Sequence, residues 1–341
     1  MNSIFKDLQF QKTKLFQEFN KQPLGFVDVG ARGGIHSTVH SIAGLTEVLC
    51  FEVDSRDVEL IESQYKREYD FSRVVVLERA LASRAGRRKF YVTKAPLNTS
   101  FLEPNAHFIN RYKAHKFKVV KSFPVSTKTL DSTIYQKGME VNRFGEFLKL
   151  DTQGSEHDIL QGAKKMLKDR CLAIWCEVEF FEIYKNQKTF TDIDAMLRKF
   201  GFCIYGLYPH FRSTKALDRS QHKTEERIMW ADAFFVKDPL DPVNKKKVFT
   251  ERDIRVLILI AMACGFFDYA MELNGIFIKD YVERRRIESF IRSKSKFDQD
   301  LMFREVKHLY NNCRKRRRNS GMLLSQFVSK HRSNSDVDYL I

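Results

Sequence analysis

Residues 26–54, F-V-D-V-G-A-R-G-G-I-H-S-T-V-H-S-I-A-G-L-T-E-V-L-C-F-E-V-D, constrain the fold of this chain more than any other stretch. Residues 26–29 are a short apolar run with β-branched members, which reads as a buried strand. Gly30, Gly33 and Gly34 then permit a tight turn whose backbone other groups can approach closely. A helix is expected over about residues 35–43 and a second strand over about 47–53, with Glu52 and Asp54 at its tip. Strand, glycine turn, helix and strand make half of a doubly wound α/β sheet, whose ligands sit beyond the carboxyl ends of the strands.

The spacing is Asp28-x-Gly30-x-x-x-Gly34, not the G-x-G-x-x-G that holds a pyrophosphate at a helix amino end. Asp28 puts a carboxylate just before the turn, which suits a cationic amino group better than a phosphate. Glu52, at the tip of the second strand, suits the hydroxyls of a ribose. An ammonium group and a ribose without a phosphate point to S-adenosylmethionine. Gly30, Ala31 and Gly34 would then lie against it, with Glu52 and Val53 at its ribose. The match is short, and a plain glycine turn in some other α/β protein is the competing reading.

Before this core, Phe5, Leu8, Leu15, Phe16 and Phe19 fall near helical spacing, so residues 1–22 are expected to form a helix laid on the main domain, ended by Pro23 and Gly25. After it, Ser55 is placed to cap a helix to about residue 69, and residues 73–77 (R-V-V-V-L) read as strand three. Ala80 and Leu81 lead off that strand, either as an apolar wall for an adenine ring or as ordinary loop. Strands are expected at 87–92 and 117–125. The long loop between them carries Asn98, Thr99, Ser100, His107, Arg111, Tyr112 and His115 and is read as a substrate lid. A short helix from Thr129 to about Gln136 should end at Gly138.

The second informative stretch is residues 146–163, E-F-L-K-L-D-T-Q-G-S-E-H-D-I-L-Q-G-A. Residues 147–150 form strand four, Asp151 sits at its tip, Thr152-Gln153-Gly154 turns, and Ser155 opens a helix. Phe147, Lys149 and Asp151 share one face, because strand side chains alternate. A lysine in a buried strand is unusual unless paired, so Lys149 is either an ion-pair partner beneath the site or a catalytic group. Residues 171–178 form strand five, ending at Glu177 and Glu179. A helix at 191–200 and strands at 202–207 and 230–237 complete the sheet. The insert 208–228, with His210, Arg212, Arg219 and His222, either covers the site or is solvated. From Val243 the chain turns basic and helical, with Ile254, Leu257, Ile258, Ile260 and Ala261 on a wide apolar face and arginine-rich runs at 284–286 and 314–318. The expected division is an N-terminal helix (1–22), an α/β domain (23–242) and a basic α-helical appendage (243–341) whose end, from Lys330, is loose.

The 341 residues, 43% of them hydrophobic, are enough for one large domain with an appendage. No apolar run approaches the roughly 20 residues of a membrane span, and no secretory signal is visible. The six cysteines form no C-x-x-C pair and several sit in apolar runs, which fits a reducing, cytoplasmic setting. The formal net charge of +16 favours acidic partners: nucleic acid, an anionic membrane surface, or an anionic glycan or nucleotide-linked substrate.

The two stretches, their order and their separation resemble the FkbM family of S-adenosylmethionine-dependent methyltransferases. D-V-G-A-R-G-G is similar to that family's D-V-G-A-N-x-G, and F-E-V-D to its F-E-P-x. L-K-L-D-T-Q-G-S-E-H-D-I-L-Q-G-A resembles its L-K-I-D-x-E/Q-G-x-E-x-x-x-L-x-G-A, the longest match. The resemblance covers about residues 23–236 and not the basic tail. It implies a class I (Rossmann-like) seven-stranded sheet with helices on both faces, and O-methylation of a hydroxyl, commonly in a sugar, a glycan or a related small molecule. Arg32 stands in place of the usual Asn, near the expected methionine carboxylate, and Val53 in place of Pro.

Methyl transfer to an alcohol needs an in-line acceptor oxygen and a group to take its proton. In the expected strand order 3-2-1-4-5-7-6, Asp151 and Glu177 end neighbouring strands. Asp151 is read as base or substrate orienter, with Glu177 second; the pair is also a candidate donor set for Mg²⁺. Two other classes compete. A nucleic-acid (RNA) methyltransferase would use the basic tail, although no N-P-P-Y-type motif or interleaved aromatics accompany the Arg runs. A non-catalytic cofactor-binding module would keep the fold alone. The tail is otherwise read as docking on an anionic surface or a partner protein.

Overall fold

Two helices, α1 (Leu8–Gln11) and α2 (Lys14–Lys21), replace the single helix expected at the amino end. Thr13 separates them: its backbone is extended, and its Oγ1 accepts from Phe16 N at 3.0 Å as the cap of α2. Leu8 consequently faces solvent while Phe10, Leu15 and Phe19 are buried. This is a computed structural model, and it describes residues 4–68, 70–136, 144–217, 222, 224–296 and 299–315, with 320, 321, 323, 324 and 327. Gly138, Arg219, residues 316–318 and the tail from Lys330 lie outside the described residues.

β1 (Leu24–Val29) runs into the glycine turn, after which a kinked 3₁₀ helix, Ser37–Leu45, stands where a regular helix was expected. β2 (Thr46–Glu52), α3 (Ser55–Glu68) and β3 (Arg73–Glu78) complete this half. Asp54, rather than Ser55, caps α3: its Oδ1 accepts from Arg56 N at 3.1 Å and its carbonyl from Val58 N at 3.1 Å. β4 (Ala80–Leu81), β5 (Gly86–Thr93) and β6 (Val119–Lys128) form a separate three-stranded sheet in the order β4-β6-β5, and α4 (Ala106–Arg111) lies between β5 and β6. The chain continues with α5 (Leu130–Ile134), β7 (Phe147–Leu150), α6 (Glu156–Gln161), α7 (Lys164–Asp169), β8 (Ala173–Glu179), α8 (Phe190–Arg198), β9 (Cys203–Arg212) and β10 (Arg227–Val236). Then come α9 (Glu251–Ala263), α10 (Phe267–Phe277), α11 (Tyr281–Lys294) and α12 (Gln299–Lys315).

The main sheet has the order β3-β2-β1-β7-β8-β10-β9, which is the expected 3-2-1-4-5-7-6 when its strands alone are counted. β3, β2, β1, β7 and β8 are parallel, and β10 runs antiparallel to both neighbours. Strand alternation splits the core in two. Phe26, Val48, Phe147 and Phe234 pack on one face with the amino-terminal helices and α9–α11. Val27, Val29, Leu148 and Leu150 pack on the other with α5–α8. The class I methyltransferase sheet with helices on both faces is therefore present.

One unit comprises Met1–Arg212 with Arg227–Lys294, and a second Ser213–Glu226 with Ser295–Ile341. The compact first unit thus runs to Lys294, past the boundary expected at 242. The physical reason is α9, which is apolar nearly all round: Ile254 and the residues from Val256 to Met262 are buried in the core of the sheet. Arg252 at its start bonds Glu146 Oε1 and Oε2, each at 3.0 Å, and the carbonyls of Gln22 and Pro23, while Glu146 Oε2 also accepts from Gly25 N. This buried cluster ties α9 to the entry points of β1 and β7. Among the described residues no helix is long and apolar enough to cross a membrane.

Candidate functional site

Parallel pairing sets the tips of β1 and β7 side by side, with Asp28 opposite Lys149 and Val29 opposite Leu150. The two following loops touch backbone to backbone. Gly30 has φ +77°, and a Cβ built on it would lie 1.9 Å from the carbonyl oxygen of Asp151. Glycine is required there on both counts. Gly30 N donates to Phe51 O at 3.1 Å, and Asp151 N to Val29 O at 3.1 Å, so the turn is fixed from both flanking strands.

Asp28 and Lys149 lie beneath this turn. Asp28 is fully buried; its Oδ2 accepts from His36 N at 2.8 Å, and its Oδ1 pairs with Lys149 Nζ at 3.1 Å. Lys149 Nζ also donates to Gly30 O at 2.8 Å. Burial favours the neutral amine, but Asp28, Asp151 and Glu177 outweigh it, and the pKa of Lys149 is raised. Lys149 thus joins the buried carboxylate of Asp28 to the backbone of the glycine turn, the ion-pair arrangement beneath the site. The carboxylate–ammonium contact expected between Asp28 and a ligand is made inside the protein.

Above the turn lies a cavity of about 280 Å³. Val29 and Gly30 border it at β1, Glu52 and Val53 at β2, Ala80 and Leu81 at β4, and Asp151, Thr152 and Gln153 at β7. Pro96, Leu97, Thr99 and Phe101 border it from the segment read as a lid. Of the expected cofactor and catalytic residues, Gly30, Arg32, Glu52, Val53, Ala80, Leu81 and Asp151 thus meet in one hollow, with Thr99 of the expected lid. Asp28, Ala31, Gly34, Lys149 and Glu177 do not line it. His107, Arg111, Tyr112 and His115 lie away from it too; Phe108 and Tyr112 are buried in a small core with Ile183, Tyr184 and Met229.

Glu52 is 8% exposed. Its Oε1 accepts from Val53 N at 2.8 Å and Asp54 N at 3.4 Å, which pins the side chain at the strand tip. Burial raises its pKa, against the pull of those N–H groups and of Arg32. Arg32, expected near a ligand carboxylate, is already engaged: Nε donates to Asp57 Oδ2 at 2.6 Å, NH1 to the carbonyl of Pro96, and Asp54 lies 3.7 Å from NH2. It links the tip of β2 and α3 to the far wall of the cavity.

The chemistry-bearing cluster sits at the tips of β7 and β8. Gln153 Nε2 donates to Asp151 Oδ1 at 3.0 Å and to Glu177 Oε2 at 2.9 Å, so one amide spans both carboxyl groups. Tyr184 Oη contacts Gln153 Oε1 at 3.2 Å. Gln153 holds φ +60°, an unusual conformation for a side-chain-bearing residue. Buried Glu156 stabilises the turn by accepting from Thr152 N at 2.6 Å and Gly154 N at 3.2 Å. Burial, then Asp151, Glu179 and Glu156, push Glu177 well above the usual carboxylate range. Asp151 Oδ2 carries no hydrogen bond among the described residues. Gln153 was visible in the sequence only as a turn residue; its bridging role depends on Glu177, 24 positions away. Among the described residues no group of three or more His, Cys, Asp or Glu is arranged to hold a metal ion. An N–H donor occupies the place between Asp151 and Glu177 that a bridging Mg²⁺ would need, so the carboxyl pair does not fit that ion.

The remaining groups fit an S-adenosyl ligand: a backbone without a side chain at Gly30, a carboxylate at Glu52 whose Oε2 carries no hydrogen bond among the described residues, and apolar Ala80 and Leu81. The model for the methyltransferase FkbM domain matches residues 28–204, a little over half of the chain. Among solved structures, methyltransferase FkbM from Methylobacillus flagellatus KT is similar at 15% identity and a TM-score of 0.36, over 63% of this chain and 43% of that one. The present chain therefore spans less than half of that protein. M. capricolum TrmK, solved in complex with S-adenosyl-homocysteine, is similar at 7% identity and a TM-score of 0.28, over 82% of this chain and 93% of that one. No curated protein matches. With the family model aligned across both site-forming stretches, the chain belongs to the FkbM methyltransferase family.

Proposed function

We propose that the protein is an S-adenosylmethionine-dependent O-methyltransferase acting on a hydroxyl of a sugar, glycan or related small molecule. The observation that carries this reading is the convergence of Gly30, Glu52, Ala80, Leu81 and Asp151 on one cavity at the carboxyl edge of the sheet. Glu52 would hold the ribose hydroxyls, Ala80 and Leu81 the adenine, and the Gly30 backbone the amino-acid end. When bound, the sulfonium supplies an activated methyl group and its own leaving group. Asp151 takes the proton of the acceptor hydroxyl on Oδ2, while Gln153 holds Oδ1 and fixes the carboxylate plane. Glu177, whose pKa burial and its neighbouring carboxyl groups raise, would orient the acceptor through the oxygen that Gln153 does not hold.

A reducing, cytoplasmic setting is part of the same proposal, supported by six free cysteines. So is a docking role for the basic carboxyl-terminal region on an anionic surface or partner protein. The test is calorimetry with S-adenosylmethionine, followed by transfer of labelled methyl to a panel of glycosides, nucleotide sugars and lipid-linked glycans. Asp151→Asn should retain cofactor binding and lose transfer. Absence of cofactor binding by the intact chain would sink the proposal.

A further inference from the structure

In-line transfer places the acceptor oxygen on the far side of the methyl group from the sulfur. The cavity lies on the β1–β2 side of Asp151, so the acceptor belongs on the β8–β10–β9 side. Strand register continues the row of carboxyl groups in that direction: Asp232 of β10 is opposite Glu177 of β8 and Tyr208 of β9. Rings flank the row. Trp175 and Tyr208 stack at 5.3 Å with 18° between planes, and His210 and Trp230 at 5.2 Å with 15°. His36 approaches Trp175 at 5.7 Å, and His210 Nε2 lies 3.2 Å from Asp232 Oδ2. Tyr208 is 44% exposed, and the buried Nε1 of Trp175 has no hydrogen-bond partner among the described residues.

We infer that Trp175, Tyr208, His210, Trp230 and Asp232 form the acceptor platform, and that it takes a neutral, polyhydroxylated ring. This rests on the transferase reading above. Flat aromatic faces pack against the C–H face of a saturated ring, and carboxyl oxygens and imidazole nitrogens accept from its hydroxyls. A phosphorylated ring would bring negative charge toward Asp151 and Asp232 and is disfavoured. Residues outside the cavity thereby acquire a role: the sequence singled out His210 only as part of an insert, and the rings not at all.

The chain's two tryptophans are Trp175 and Trp230, so fluorescence excited selectively at tryptophan, beyond the absorption of the 12 tyrosines, reports on this platform. The experiment titrates the full chain, with and without S-adenosylmethionine, with methyl α-glucopyranoside, methyl α-mannopyranoside and glucose 1-phosphate. A saturable change with a neutral glycoside, weaker with the phosphate, is expected. Tyr208→Ala and Asp232→Asn should each weaken it about tenfold, about 1.4 kcal/mol, without changing S-adenosylmethionine affinity by calorimetry. No saturable change with either neutral glycoside, or an identical response in both variants, overturns the platform. Failure to bind S-adenosylmethionine overturns the cofactor reading instead, and the glycoside titration without cofactor judges the platform separately.

Discussion

Gly30→Ala tests the contact on which the cavity depends. A Cβ at residue 30 would sit 1.9 Å from Asp151 O and 2.9 Å from its carbonyl carbon. Real Cβ atoms essentially never come within 3.0 Å, so the β1 and β7 loops must separate by about 1.1 Å or more. The obstacle is backbone, and that backbone is anchored by the Asp151 N–Val29 O bond at 3.1 Å, so no side chain can swing aside. The φ of +77° adds about 1–2 kcal/mol for a residue with a Cβ. Together these predict a folded protein with a lowered Tm and a displaced Asp151. A displacement of about 1 Å at a reacting group costs on the order of a hundredfold in rate. Calorimetry should show S-adenosylmethionine affinity reduced at least about tenfold, and a thermal melt should show a cooperative, earlier transition. Wild-type affinity with an unshifted melt would refute the proposition that these loops form the floor of a cofactor site.

Other consequences can be read in parallel. Glu52→Ala should keep the fold and lose about 1.5–3 kcal/mol of cofactor binding, the range for hydrogen bonds to a charged group, as read by calorimetry. Arg252→Leu removes both bonds from Arg252 to buried Glu146 and should destabilise by about 3–5 kcal/mol in urea titration, while Arg252→Leu with Glu146→Gln should recover part of the loss. Gln153→Glu puts a third carboxyl group between Asp151 and Glu177; protons are then held to higher pH, and the acidic limb of the rate profile should move upward. Glu177 keeps its proton in the native state above the ordinary glutamate value of 4.5, where the unfolded chain has released it. Stability must therefore fall as pH rises from about that value toward the raised native one, and Glu177→Gln should flatten that slope in urea titrations across pH.

The short-range features of the chain were legible because they are local. Apolar runs and the glycine turn placed the main-sheet strands within a few residues, and seven of the expected site residues line the cavity. What escaped depends on pairing across distance. The partner of Lys149 could not be named until the β1–β7 register set it opposite Asp28, 121 positions away. Gln153 carries no local mark of a bridge. α9 looked like the start of an appendage because its composition changes at Val243, yet burial on all sides, not amphipathicity, decides where it packs. The 3₁₀ helix after the glycine turn, kinked at Ile42, likewise follows from packing against β2 and α9 and has no sequence signal of its own.

Charge separates the two enzymatic alternatives. A chain of formal net charge +16 invites a nucleic-acid partner, but net charge speaks for the whole surface and not for the site. At the carboxyl edge, Asp151, Glu177 and Asp232 succeed one another across β7, β8 and β10, and two cations beneath and beside the cavity are engaged: Lys149 by Asp28, Arg32 by Asp57. A phosphodiester threaded past Asp151 would meet these carboxyl groups, at a cost that grows as water is excluded. A neutral hydroxylated acceptor meets the same groups as hydrogen-bond acceptors and gains from each. Transfer to an RNA panel that survives increased salt, with no transfer to neutral glycosides, would reverse this assignment, because phosphate-driven binding weakens steeply with salt and persistence would require base recognition at the site.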